Sequence, residues 1–328
     1  MGNKYALLTL PLTHARNTIS AELGDGYVAT ERLPVGVPDH WQKWVGSLQY
    51  EAIVDAAYYL IVHSPARAPH VLDEENQNLR ANVLLFHTGL TISVPNIGHE
   101  EAIYLTGAVH DNETDVREFT SYPQTFYMEG AQQSDISLPR LRAAKRIGLA
   151  IASFDSTQRM ERLPRILTAF RTAHQAQQLD TRVHQFVRVI EGFVLPKSAS
   201  KADEFADRLS ELVSGINVED LKQLYTIRST VEHLRGPEVA LRGAKKERRA
   251  LLIIRAMQAE ALARYVLGYF LDTPDLWAYF STYKATRAFW NRSASEKDSI
   301  WPGKMDLGRV TSDYKLPDQF WDTEIDDE

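Results

Sequence analysis

The 328-residue chain contains no cysteine. That removes disulfides, thiolate zinc sites and cysteine nucleophiles from consideration, and it fits a reducing compartment. No stretch approaches the roughly 18 apolar residues that a membrane helix needs. The opening run, Met1-Gly2-Asn3-Lys4-Tyr5-Ala6-Leu7-Leu8-Thr9-Leu10-Pro11, is too short for a secretory signal and has no small-residue cleavage site. Gly2 resembles a myristoylation start, but Ala6 stands where serine or threonine is wanted. Internal repeats and low-complexity tracts are also missing. These absences lead to the expectation of a cytoplasmic protein without a membrane partner.

What is present describes a globular chain. Its apolar fraction of 44% and charged fraction of 24% exclude the disordered and fibrous classes. The length suffices for one large domain or two ordinary ones, each with a core. The net charge of −6 conceals an uneven distribution. Residues 138–264 hold 23 Lys and Arg against 14 Asp and Glu, a local charge of +9, and the remainder holds 14 basic and 29 acidic residues. A basic middle between acidic flanks points to a polyanionic partner, or equally to helices with a solvated cationic face.

Patterning predicts an α+β chain: a mixed α/β part over residues 1–137, a helical domain over 138–292, and a C-terminal arm over 293–328. In the first part, Tyr5–Leu10 and Tyr27–Thr30 read as strands, the latter entered through a Gly24-Asp25-Gly26 turn. Leu48 to Val62 shows a helical stripe, while Val83–Phe86, Thr91–Val94 and Ala102–Val109 read as strands of a small sheet. His87, His99 and His110, with Glu100 and Glu101, invite a metal reading, but their spacing matches no ligand pattern. No metal and no other cofactor is expected. After Pro139, helical periodicity dominates: 138–154, 162–178, 182–195, 202–213, 218–233 and 244–270. The arm is aromatic and Pro-rich, then ends in the acidic run Asp322–Glu328, expected to be disordered.

The densest chemistry lies in Leu224-Tyr225-Thr226-Ile227-Arg228-Ser229-Thr230-Val231-Glu232-His233. Arg228 offers a cation for a phosphate, Ser229 a small polar neighbour, and His233 an imidazole able to move a proton near neutral pH. Five residues on a helix mean about 140° of rotation and about 7.5 Å of rise, so Arg228 and His233 do not share a face of a regular helix. Either the helix unwinds near Val231, or a second copy completes the site across a two-fold axis. Two structural readings compete: an i, i+4 salt bridge from Arg228 to Glu232, and His233 interacting with the helix C-terminus.

Arg182-x-x-x-Phe186-Val187-x-x-Ile190-Glu191-Gly192-Phe193, then Phe205-Ala206-Asp207-Arg208-Leu209, then the Tyr225-x-Ile227-Arg228-Ser229-x-x-x-His233 helix end, come in an order that resembles the HEPN superfamily. Among its branches the chain is most similar to the ApeA-like HEPN proteins, over roughly residues 160 to 270. Their motif has glycine directly after the histidine; here it is delayed, as His233-Leu234-Arg235-Gly236. The resemblance implies an all-α HEPN-like bundle that pairs into a homodimer and acts as a metal-independent endoribonuclease, often a toxin or antiphage defence effector. Carried over by position, Arg228 and His233 are the catalytic pair, with Ser229 beside them. RNA supplies its own 2′-hydroxyl nucleophile; an imidazole serves as acid or base and a guanidinium neutralises phosphoryl charge, so no metal is required.

Arg242, Lys245, Lys246, Arg248 and Arg249 form a basic run that guides RNA or merely starts a solvated helix. Glu191, paired with Arg208 or Arg188, and Tyr225 are read as structural support. The expected partners are RNA, a second copy, and an antitoxin or trigger-sensing partner acting with the N-terminal part. The alternative is a non-catalytic HEPN scaffold that binds RNA, nucleotide or a protein. A third reading, an interaction protein sharing the motif by accident, predicts no RNA-linked loss on removing Arg228 or His233.

Overall fold

Strand β1 (Gly2–Leu10) lies in the middle of a six-stranded antiparallel sheet and is covered on both faces. Its side chains alternate: Ala6, Leu8 and Leu10 enter one core, Tyr5 and Leu7 the other. The computed structural model describes residues 2–36, 38–69, 71–110, 113–128, 131–157, 160–241 and 245–312. The chain is α+β, an N-terminal antiparallel sheet with helices followed by a mostly helical region. It divides into two compact units, residues 1–127 with 133–157, and residues 128–132 with 158–328.

In the first unit the sheet order is β2-β3-β4-β1-β5-β6, with β2 Ala21–Glu22, β3 Tyr27–Thr30, β4 Tyr58–Ala66, β5 Ala102–His110 and β6 Glu113–Tyr122. Helices α1 (Asp39–Val45) and α2 (Ser47–Val54) cover one face through Trp41, Val45 and Ile53. Helix α3 (Glu74–Ser93) covers the other through Leu79, Val83, Phe86 and Leu90. It starts at a capping box made by Asp73 and Asn76. Helix α4 (Leu138–Thr157) packs on α3 with Leu141 and Ala144 in the same core. A Cβ on Gly89 would stand 2.0 Å from the Ala144 carbonyl oxygen, so only glycine allows this backbone approach.

Three expectations are corrected here. The two segments Val83–Phe86 and Thr91–Val94 are not strands; they lie on α3 and its C-cap, and Gly89 between them marks a helix crossing. The helical stripe from Leu48 stops at Val54, and β4 follows, its two-sided burial producing a continuous apolar run. The units do not divide at residue 137, because α4 has its apolar face in the sheet unit's core.

The second unit contains α5 (Leu163–Gln175), α6 (Leu179–Val194), α7 (Lys201–Leu212), β7 (Val213–Ser214), α8 (Val218–Glu232) and α9 (Lys245–Asp272), then α10 (Trp277–Phe280), α11 (Tyr283–Trp290), α12 (Ala294–Ile300), β8 (Met305–Asp306) and α13 (Leu307–Ser312). Helix α6 is the centre, in contact with α5, α7, α8 and α9. Val183, Phe186, Val187, Val189, Ile190, Phe193 and Val194 are all fully buried. Arg182 reaches Glu260 of α9 at 3.0 Å, with only 2% and 6% of the two side chains exposed. The arm is docked where β8 pairs with β7 in parallel and buried Trp301 donates to the Tyr265 hydroxyl. The acidic run Asp322–Glu328 lies outside the described residues. Among the described residues no helix is long and apolar enough to cross a membrane.

Candidate functional site

Helix α8 carries the sequence motif and has well-defined ends. Asn217 caps its start, the side chain accepting from the Asp220 N–H at 2.8 Å. Buried Arg255 of α9 holds the first turns, reaching Asp220 and donating from Nε to Gln223 at 2.7 Å. The helix runs unbroken through Val231 to Glu232, so the unwinding considered from the spacing does not occur. It stops at His233 in a Schellman turn: the Leu234 N–H donates to the Val231 carbonyl at 2.9 Å and the Arg235 N–H to the Thr230 carbonyl at 3.0 Å. Leu234 takes the left-handed conformation, φ 57°, that glycine usually supplies. The delayed glycine therefore leaves the helix end where a His-Gly pair would put it. His233 itself is exposed.

The buried side of this helix end faces α6, whose apolar surface is interrupted by His184, Arg188 and Glu191 at i, i+4 and i+7. Tyr225, Arg228 and Glu232 form the matching row on α8. Arg228 donates from Nε to Glu191 Oε2 at 3.0 Å, and its Nη1 lies 3.7 Å from Glu232 Oε2. His184 Nε2 is 2.7 Å from that same Glu232 oxygen. The Arg228 guanidinium stands 5.8 Å from the Tyr225 ring centroid.

Two carboxyls therefore flank one guanidinium, and their environments push them apart. Burial raises Glu191 above the ordinary carboxylate range, against the pull of Arg228 and Tyr225. The hydrogen bond with His184 holds Glu232 below that range, helped by the charges of Arg228 and Arg188. Burial, then Glu191, raises the Tyr225 hydroxyl. Divergent carboxyls beside a cation and an imidazole are the electrostatic mark of a working site, although structural ion networks also produce it.

The residues expected from sequence are placed as follows. Arg228, Glu191 and Tyr225 come together at this contact. Ser229 is half-buried on the same turn, its carbonyl accepting from the His233 N–H at 3.2 Å. Arg208 is elsewhere and does not pair with Glu191: it donates to the Val194 and Leu195 carbonyls at the end of α6, contacts Glu204, and stacks over Trp290. It closes the C-terminus of α6, whose cap Leu195 is also left-handed at φ 47°. Arg242 and the side chains of Lys245 and Lys246 lie outside the described residues. Arg248 is half-buried with its Nε lacking a hydrogen-bond partner among the described residues, and Arg249 is exposed. His184 was not singled out by sequence reasoning. Only its i, i+4, i+7 relation to Arg188 and Glu191 on an otherwise apolar helix could have marked it.

Of the N-terminal histidines, His87 and His99 meet in the first unit, Nε2 to Nε2 at 3.1 Å. His99 Nδ1 donates to the Glu100 carbonyl at 2.6 Å, leaving its Nε2 to accept from His87 and from the Thr125 hydroxyl at 3.0 Å. The Tyr122 hydroxyl then donates to His87 Nδ1 at 3.2 Å. His110 ends β5. Among the described residues no group of three or more histidine or acidic side chains is placed to hold a metal.

No family model, curated protein or solved structure matches the chain.

Proposed function

We propose that the chain is a metal-independent endoribonuclease of the HEPN type, with a toxin or antiphage defence role, whose site lies at the end of α8. The observation that carries this reading is the arrangement of Arg228. A half-buried carboxyl, Glu191, holds its Nε, orienting a guanidinium in the turn before an exposed histidine. In the proposed reaction Arg228 neutralises charge on the phosphoryl oxygens, and His233 passes a proton to or from the 2′-hydroxyl or the leaving oxygen. Because α8 stays regular, Arg228 and His233 point in different directions within one chain, and a second copy across a two-fold axis supplies the complement. The basic residues at the start of α9 agree with an RNA partner. Cations in a helix's first turn oppose its dipole, so their placement calls for a reason other than helix stability.

Cleavage of a total-RNA and tRNA pool in EDTA tests the reading. Wild type is expected to give fragments with cyclic phosphate ends, and His233→Ala is expected to give none. Intact RNA with folded, dimeric wild-type protein favours the second reading, a scaffold that binds RNA, nucleotide or a partner without cutting. One observation speaks for that alternative: Arg228 already stands between two carboxyls, so its charge is balanced before any phosphate arrives.

A further inference from the structure

One imidazole and two guanidinium groups from two helices lie around a single exposed carboxylate at the site. His184 Nε2 is 2.7 Å from Glu232 Oε2, Arg228 Nη1 is 3.7 Å from the same oxygen, and Arg188 adds its charge from one turn further along α6. Arg228 is close enough to attract Glu232 but too far to hydrogen-bond it; the hydrogen bond it makes goes from Nε to Glu191. The guanidinium thus keeps donors in reserve on the side that faces Glu232.

The two carboxyls differ in how firmly they are held. Glu191 is half-buried, with 19% of its side chain exposed, and is held by Arg228. Glu232 has 47% exposed and sits in the last turn of α8, where the helix dipole disfavours an anion. Its side chain can swing into solvent without opening the core. What would remain is a cradle of one imidazole and two guanidinium groups, open to an anion with the same charge as Glu232 and more oxygens to offer.

We propose that His184, Arg188 and Arg228 form a phosphate subsite, and that Glu232 fills it in the resting chain as an internal stand-in that an RNA phosphodiester must displace. The proposal rests on reading this helix pair as an RNA site, and it adds two things: a subsite that includes α6, and a built-in competitor that sets how easily RNA enters. Removing the competitor strengthens phosphate binding by the attraction that Glu232 now takes up.

The test reads binding, not cleavage. A fluorescent 2′-deoxy oligonucleotide, which lacks the attacking hydroxyl, is titrated against the full chain by anisotropy, with inorganic phosphate as competitor. Glu232→Gln is expected to bind about tenfold tighter than wild type. Adding Arg188→Ala to Glu232→Gln is expected to cancel the gain. Glu219→Gln, which removes an exposed charge from the first turn of the same helix, is expected to leave binding unchanged. Equal or weaker binding by Glu232→Gln overturns the proposal, and so does an equal gain in Glu219→Gln, which would reduce the effect to net charge. A gain that survives Arg188→Ala also overturns it. In wild type, saturating phosphate is expected to shift the His184 side-chain nitrogen resonance; an unmoved resonance overturns the proposal without recourse to a variant. Uncut RNA in EDTA with these binding results intact rejects the ribonuclease reading alone.

Discussion

A leucine in the left-handed region costs about 1–2 kcal/mol. Leu234 sits there with 97% of its surface exposed, so no packing offsets that cost. Leu234→Gly is expected to raise the stability of the chain by about 1 kcal/mol, less whatever freedom glycine returns to the unfolded state. The check is the urea midpoint, and a midpoint at or below that of wild type refutes the account. His99 behaves differently. Burial lowers its imidazole to about 4 despite the pull of the Glu100 carbonyl. A depressed histidine is neutral when folded and protonates more readily when unfolded, so its contribution is complete above the unfolded value near 6.5 and is lost as pH falls toward 4. Roughly 3 kcal/mol should disappear across that window. In His99→Gln the same pH titration of unfolding is expected to be visibly flatter; an unchanged slope would show that other groups carry the acid sensitivity. Neither residue announced itself in the sequence. A φ angle leaves no trace in a string of letters, and the partners of His99 are fixed only when α3, which carries His87, and the segment after β6, which carries Thr125, meet the loop that holds His99.

Among the elements, α6 is tied to α9 by the buried Arg182–Glu260 pair. Breaking such a pair from one side leaves an uncompensated charge, so Arg182→Ala is expected to destabilise the chain by about 3–5 kcal/mol. Replacing both partners, as in Arg182→Met with Glu260→Leu, is expected to recover most of that loss. Thermal unfolding of the three variants distinguishes a needed charge pair from a tolerated one. The helices of the second unit were legible because each buries one stripe, and a 3.6-residue period survives in Val183, Phe186, Val187, Ile190, Phe193 and Val194. Elements buried on both sides were not. Tyr58 to Val62 ran on from α2 as though one helix, and α3 was broken at Gly89, a residue that serves its neighbour α4. Of the site, Arg228 and its helix were legible, and the Glu232 contact followed from spacing. Glu191 was expected to pair with Arg208 or Arg188 and instead accepts from Arg228, because sequence shows helix faces but not which face meets which.

At the scale of the whole molecule, the charges are divided: residues 138–264 carry +9 and the remainder is acidic. If RNA binding neutralises about four phosphates, affinity should fall roughly 50-fold between 50 and 200 mM salt, since single strands lose about 0.7 in logarithmic slope per phosphate. Anisotropy titrations at a series of salt concentrations measure the slope, and a flat response would argue for a protein partner instead. The domain boundary was drawn where helical patterning takes over after Pro139, whereas α4 still has its apolar face in the sheet unit. Helix α6 has one more consequence. Its buried stripe is committed to packing against α5, α7, α8 or α9, and a narrow polar row lies beside it. In a saturation mutagenesis screen the packed positions should reject polar residues whatever the assay. His184, Arg188 and Glu191 should tolerate exchange when the readout is abundance and resist it when the readout is activity. One helix would thus hold both the test positions and their internal controls, so selection for folding and selection for function could be separated within about two turns of the chain.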